Sequence, residues 1–368
     1  MIIIVSKYAP PDHSGAGRRM YSFFNYLKET GYDVRFITTT QRDEDKVIVI
    51  QSNPVEKYFW KLSPAFNFLS SFLQLVYRSL TGSFPVSDGI RSVWLVSASP
   101  LTAAAAAFFR LRGYRIITQN VLMHSDNPGP RPTGVLNIAH KLREFQYSLT
   151  DVVTSNSPGL YEQSNKHHPN CVLIPNPVEL PKIENIKKNR NGTNVLIVGR
   201  LSHRKGTDIV FRTIDIIHRK NPGINFTFVG PDDDMDDRLC KIYDSCRHIN
   251  RDNVHFAGYQ IDTRPWYAKA DIFFLPSRNE GFPSVFIEAM SHGVPLVVKK
   301  LEGVTDFIIE NGYPAIIDSE EPENFSEAII KLVYDKELYG SLVKRLKNNV
   351  KHFDKKNIYN QYINLIEK

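Results

Sequence analysis

The chain has 368 residues, a formal charge of +7 and an isoelectric point near 9.1, with 42% apolar and 23% charged residues. Those proportions exclude disordered and collagen-like classes, and the length exceeds what one core usually supports, so two domains are expected. Cys171, Cys240 and Cys246 are too few for a disulfide framework and lack C-x-x-C spacing for zinc, which implies a reducing, cytoplasmic setting.

The opening "MIIIVSKYAPP" is apolar for five residues, too short for a signal peptide, and reads as a buried strand. The loop "YAPPDHSGAGRRM" (8–20) follows, where Gly15 and Gly17 would let backbone approach a ligand. "GAGRRM" lacks the third glycine of a dinucleotide fingerprint, and a plain βα turn is the other reading. A helix is expected from about Arg18 to Glu29, then a strand at 33–39.

In "EKYFWKLSPAFNFLSSFLQLVYRSL" (56–80), aromatic residues mix with Lys57, Lys61 and Arg78. Such a segment suits either a bilayer interface with anionic lipid or a packed helix pair. A strand at 92–98 precedes a helix opened by Ser99 and Pro100. The apolar run 94–109, cut by Pro100, falls short of a membrane span. Strands at 114–121 and 151–157 follow, with His124 just past the first at its carboxyl end, and "CVLIPNPVE" (171–179) closes the half.

Residues 181–194 have linker composition. The pattern then restarts with "NVLIVG" (194–199), a helix from about Thr207 to Arg219, "NFTFVG" (225–230), "VHFAGY", "DIFFLPS" and "PLVVKK". Strand-helix alternation of this kind implies parallel sheets. The expected fold is α/β, with two doubly wound Rossmann-like domains facing a central cleft and ligands beyond the carboxyl ends of the strands. The domains read as 1–180, a linker at 181–194, then 195–350, with 351–368 a C-terminal helix that could pack back on the first domain.

Three motifs in the second half carry chemistry. "VGRLSHRKG" (198–206) sets Arg200 and Lys205 in a strand-to-helix loop, a forked cation and a point charge suited to a diphosphate. "PDDDMDD" (231–237) lacks coordinating glutamate or histidine at metal spacing and reads as an exposed loop. In "RNEGFPSVFIEAMSH" (278–292), Pro283 suits a first helical turn, so Glu280 falls in the entering loop and Glu288 more than a turn inside the helix. Amides at such a turn favour phosphate.

Together "SKYAPPDHSGAG", "IPNPVE", "VGRLSHRKG" and "NEGFPSVFIEAMSHGVPLV" resemble glycosyltransferase family four, retaining enzymes of GT-B fold. The resemblance covers nearly the whole chain and is strongest from Asn194 to Val298. It departs from the family where Ala16 separates Gly15 from Gly17 and where the histidine region reads "HSD".

The resemblance implies a hexose transfer from a nucleotide diphosphate sugar to an acceptor hydroxyl, on a growing surface polysaccharide or a lipid-linked glycan. The donor diphosphate would lie against Gly199, Arg200, Lys205 and the amides around Gly281, Phe282, Ser284 and Val285, with Gly15 and Gly17 also at the donor. Glu288 would accept from ribose hydroxyls and Glu280 would face the hexose. His124 would orient the sugar, and Arg200 and Lys205 would stabilise the leaving diphosphate. Front-face attack, with the leaving phosphate taking the acceptor proton, is the implied route, and a covalent route through Glu280 stays open. No cofactor or metal is expected. The setting is cytoplasmic, with peripheral contact to an anionic inner membrane face as an option.

Two alternatives stand beside the transferase. A nucleotide-sugar epimerase of the same fold would consume donor without acceptor. A non-enzymatic basic binder would use the +7 charge, yet no aromatic-interleaved basic motif of the nucleic-acid type is present, so no nucleic-acid partner is expected.

Overall fold

The computed structural model describes residues 1–10, 15–41, 43–50, 63–84, 89–120, 133–181, 193–232, 235–310 and 312–368. The chain divides into two compact units, one of Met1–Asn176 with Ile358–Lys368 and one of Pro177–Asn357.

The N-terminal unit runs β1 (Ile2–Ser6), α1 (Gly15–Glu29), β2 (Val34–Thr38), β3 (Val47–Val49), α2 (Ser63–Leu80), β4 (Ser92–Val96), α3 (Pro100–Leu111), β5 (Arg115–Asn120), α4 (Thr133–Ser148), β6 (Val152–Ser155), α5 (Pro158–Asn165) and β7 (Cys171–Leu173). Its parallel sheet has the order β3-β2-β1-β4-β5-β6-β7. β1 sits centrally, Ile2 opposite Val34 on one side and Ser92 on the other. It is apolar from Ile2 to Val5 because both faces are covered: Ile2 and Ile4 join the core under α1, while Ile3 and Val5 join the core under α3. α3 starts where expected, its Ser99 cap and Thr102 forming a capping box with Pro100 in the first turn.

α1 begins earlier than the expected Arg18. Gly15 and Gly17 therefore lie in its first turn, Gly17 buried, and neither has a positive φ. Both glycines therefore sit inside a helix, where the sequence suggested a loop.

The C-terminal unit runs β8 (Asn194–Val198), α6 (Thr207–His218), β9 (Asn225–Val229), α7 (Asp237–Ser245), β10 (Val254–Phe256), α8 (Arg264–Lys269), β11 (Ile272–Leu275), α9 (Ser284–Ser291), β12 (Leu296–Lys299), α10 (Thr305–Ile309), β13 (Ile316–Ile317), α11 (Pro322–Tyr334) and α12 (Lys336–Asn349). Its parallel sheet has the order β10-β9-β8-β11-β12-β13, so the winding reverses between β8 and β11. That reversal leaves a crevice beyond the carboxyl ends of those two strands, where doubly wound sheets bind ligands.

α13 (Lys355–Glu367) returns to the N-terminal unit from Ile358 onward. Its Tyr362 ring lies 4.8 Å from Trp94 and 5.1 Å from Phe23. The Tyr359 hydroxyl is 3.0 Å from Ser22 Oγ, and Ser92 Oγ donates to the Ile366 carbonyl at 2.9 Å. The N-terminal core is thus completed by residues far along the chain.

Candidate active site of the C-terminal unit

The loops leaving β8 and β11 touch backbone to backbone at the switch point, and glycine makes this possible. Gly206 has φ +74, and a Cβ there would stand 2.3 Å from the Pro276 carbonyl oxygen at the end of β11. Gly230, after β9, has φ +152, and its Cβ would meet the Gly199 carbonyl oxygen at 2.0 Å. Neither position admits a side chain in that conformation.

The close approach brings charges together. Lys205 Nζ stands 2.5 Å from Glu280 Oε1, with the two side chains only 14% and 11% exposed. Arg204 Nη1 is 3.6 Å from Glu280 Oε2 and donates to the Asn279 carbonyl at 3.0 Å. The loops are also clipped by Arg278, whose guanidinium forks onto Asp208 at 2.7 and 2.9 Å and donates to the His203 carbonyl at 2.6 Å. The Arg278 amide donates to the Arg204 carbonyl at 2.9 Å. Burial alone would raise the Asp208 carboxyl, but the Arg278 fork outweighs it and holds the group below the usual carboxylate range.

Glu288 has different support. It lies in the second turn of α9, and Oε2 accepts from the Tyr267 hydroxyl at 2.9 Å. Tyr267, on α8, is buried at 1% exposure and stacks on His292 with centroids 5.5 Å apart. His292 Nδ1 lies 2.9 Å from the Glu288 carbonyl oxygen. Burial, then the neighbouring carboxylate and the bond to it, hold the Tyr267 hydroxyl well above the ordinary phenol range. It stays a proton donor throughout the working pH range.

Pro283 takes the position just before α9, with the helix starting at Ser284, one step later than a first-turn proline implies. Gly281, Phe282, Ser284 and Val285 therefore surround the N-terminal end of α9, where helix N–H groups favour anions. Phe282 anchors this turn, its ring buried against Phe353 at 6.0 Å.

Of the expected residues, Gly199, Arg200, Lys205, Glu280, Gly281, Phe282, Ser284, Val285 and Glu288 all belong to the C-terminal unit, on the β8 loop, the β11 loop and α9. Gly15 and Gly17 belong to the N-terminal unit. His124 lies outside the described residues. Sequence reasoning did not find Arg204, Arg278, Asp208 or Tyr267. Their partners lie 21 to 76 residues away, and the one available signal was the lone basic residue in "SRNEG". In "PDDDMDD", Asp236 caps α7 by accepting from the Leu239 amide at 2.9 Å, while Asp233 and Asp234 lie outside the described residues.

Residues 178–353, just under half the chain, match the family model described as Glycosyl transferases group 1. Among curated proteins, the chain is 31% identical over 173 residues to the lipopolysaccharide core biosynthesis glycosyltransferase LpsE of Rhizobium meliloti, covering 47% of this chain and 49% of the relative. It is 28% identical over 249 residues, 64% of each chain, to the N,N'-diacetylbacillosaminyl-diphospho-undecaprenol alpha-1,3-N-acetylgalactosaminyltransferase of Campylobacter jejuni. The chain thus spans between about half and just under two thirds of these relatives' lengths. By structure it superposes on Anabaena HepE in complex with UDP and glucose with a TM-score of 0.76 at 16% identity, over 100% of this chain and 99% of the other. The fold is GT-B: two α/β units, each built on a parallel sheet.

Proposed function

We propose that the chain is a retaining glycosyltransferase that moves a hexose from a nucleotide diphosphate sugar to a hydroxyl of a polysaccharide or lipid-linked glycan. The observation that carries this is the shielded Lys205–Glu280 contact at the switch point, with Glu288 held separately on α9. An ammonium has three N–H donors, so Lys205 can keep Glu280 while donating to a phosphate oxygen. Arg200 and Arg204 add positive charge on the same loop. Charge developing on a leaving diphosphate is stabilised most where water is scarce and the donors are already fixed.

The carboxylate of Glu280 then faces the sugar, where positive charge grows as the anomeric carbon–phosphate bond breaks. The acceptor oxygen bonds to that carbon on the same face, and its proton passes to the departing phosphate oxygen. Glu288 accepts from the ribose hydroxyls, and His124 orients the hexose. The UDP and glucose bound by HepE support the donor class, and the names of the Rhizobium and Campylobacter relatives support a glycan or lipid-diphosphate acceptor. On this reading the cations replace a metal.

Glu280→Gln tests the assignment: kcat should fall at least about tenfold while nucleoside diphosphate binds no more weakly than to the parent, the signature of a contact made in the transition state. Near-normal kcat would overturn it. Consumption of donor without acceptor would favour the epimerase.

We also place the enzyme in the cytoplasm, at the inner membrane face. On α2, Leu69, Leu73, Tyr77 and Leu80 are each more than half exposed, at spacings of four, four and three that put them on one face. α2 carries no acidic residue, and Arg78 lies in its last turn. Such a face suits an anionic bilayer interface. Flotation with anionic vesicles should recover the parent and lose Leu73→Glu. Equal recovery of both, or of neither, would refute the docking face.

A further inference from the structure

We infer that Tyr267 is a positioning residue for nucleotide recognition: from α8 it fixes the Glu288 carboxylate in the orientation that reads the donor ribose. This rests on the ribose role given to Glu288 above. Glu288 is an awkward residue for a fixed task, since a glutamate has three rotatable bonds and lies only partly buried in the second turn of α9. Holding it in one rotamer costs entropy unless something rigid pins it.

Tyr267 is rigid. Its ring is buried between α8 and α9, lies 6.1 Å from the ring of Phe273 on β11, and stacks on His292. Its hydroxyl meets Glu288 Oε2 at 2.9 Å. The backbone of Glu288 is tied as well, with Ser291 Oγ donating to its carbonyl at 2.7 Å and His292 Nδ1 2.9 Å from the same oxygen. A carboxylate can accept about four hydrogen bonds, so a bond from Tyr267 leaves capacity for a vicinal diol. Because the phenol stays protonated, its donation to Glu288 persists at any working pH. A tyrosine serving packing alone would have no need to direct its hydroxyl at the carboxylate of a helix on the ligand side.

Binding of a nucleoside diphosphate and of its dideoxyribose analogue separates the possibilities, with UDP or GDP as probe, whichever the parent binds more tightly. The preference for the ribose form should shrink about tenfold in Tyr267→Phe, the low end for a charged hydrogen bond. At saturating donor, kcat should stay within about twofold of the parent. Thermal unfolding checks that Tyr267→Phe is folded. Tyr267→Met, which also removes the hydroxyl while keeping an apolar side chain of similar length in the core, should show the same lost preference, so the test does not depend on the phenylalanine variant surviving. If Glu288→Gln loses the preference while Tyr267→Phe and Tyr267→Met keep it, Tyr267 does not position Glu288 and the inference falls alone. If Glu288→Gln also keeps the preference, the ribose assignment falls and takes the inference with it.

Discussion

Replacing Arg278 by alanine removes the fork onto Asp208, the bond to the His203 carbonyl and the pair to Glu320. The Glu320 side chain is 44% exposed, so its share is at most about 1 kcal/mol after solvent screening. The Asp208 side chain is only 8% exposed, and stranding a buried charge costs about 3 to 5 kcal/mol. We therefore expect Arg278→Ala to cost the C-terminal unit about 3 to 5 kcal/mol, read from the urea transition of that unit. Most of that cost is the abandoned carboxylate. The double variant with Asp208→Asn should consequently be at least about 1 kcal/mol more stable than the sum of the two single losses predicts. Because Arg278 also clips the β8 loop, hydrogen exchange at Arg204 and Lys205 should quicken. A loss below about 1 kcal/mol, or strict additivity in the double variant, would show that the pair is not what binds the two loops.

Three further outcomes follow from the same contacts. Asp208 is held below its unfolded value, so its stabilisation is complete above about pH 4 and fades as pH falls through the folded pKa; on acidification below about pH 4 the parent should lose more stability than Asp208→Asn, and superimposable acid profiles would contradict this. Gly206→Ala meets both a left-handed φ and a contact of 2.3 Å with the Pro276 oxygen; it should destabilise the C-terminal unit by more than about 2 kcal/mol, and a parent-like unfolding midpoint would mean the loops are not in contact. Turnover should persist in excess EDTA, with Lys205, Arg200 and Arg204 supplying the positive charge; loss restored by magnesium or manganese would refute that assignment.

The sheets were legible because each central strand is a continuous apolar run between turn residues, as in "IIIVS" and "NVLIV". β3 and β13, of three and two residues, were not legible, being too short to show a period. At the site, the loops could be placed from their strands, whereas the pairing inside them could not. Lys205 and Glu280 stand 75 residues apart and were assigned separate tasks, one at the phosphates and one at the sugar, yet they touch. Tyr267 sits in "RPWYAKADIFF", where it reads as an ordinary core aromatic. Only the packing of α8 on α9 shows where its hydroxyl points. α1 extended back to Gly15 because glycine, although poor in a helix interior, is tolerated in its first turn.

The return of α13 also sets an order of events during synthesis. Trp94 and Phe23 leave the ribosome early, but Tyr362, which covers them, follows only after Pro177–Asn357 has been made. That is 181 residues (357 − 177 + 1), and at about 5 to 20 residues per second the aromatic seam waits roughly 10 to 40 s uncovered. The nascent N-terminal unit is therefore an incomplete body with a wet aromatic face, a target for chaperones. The C-terminal unit, contiguous in sequence, can close first although it is made second.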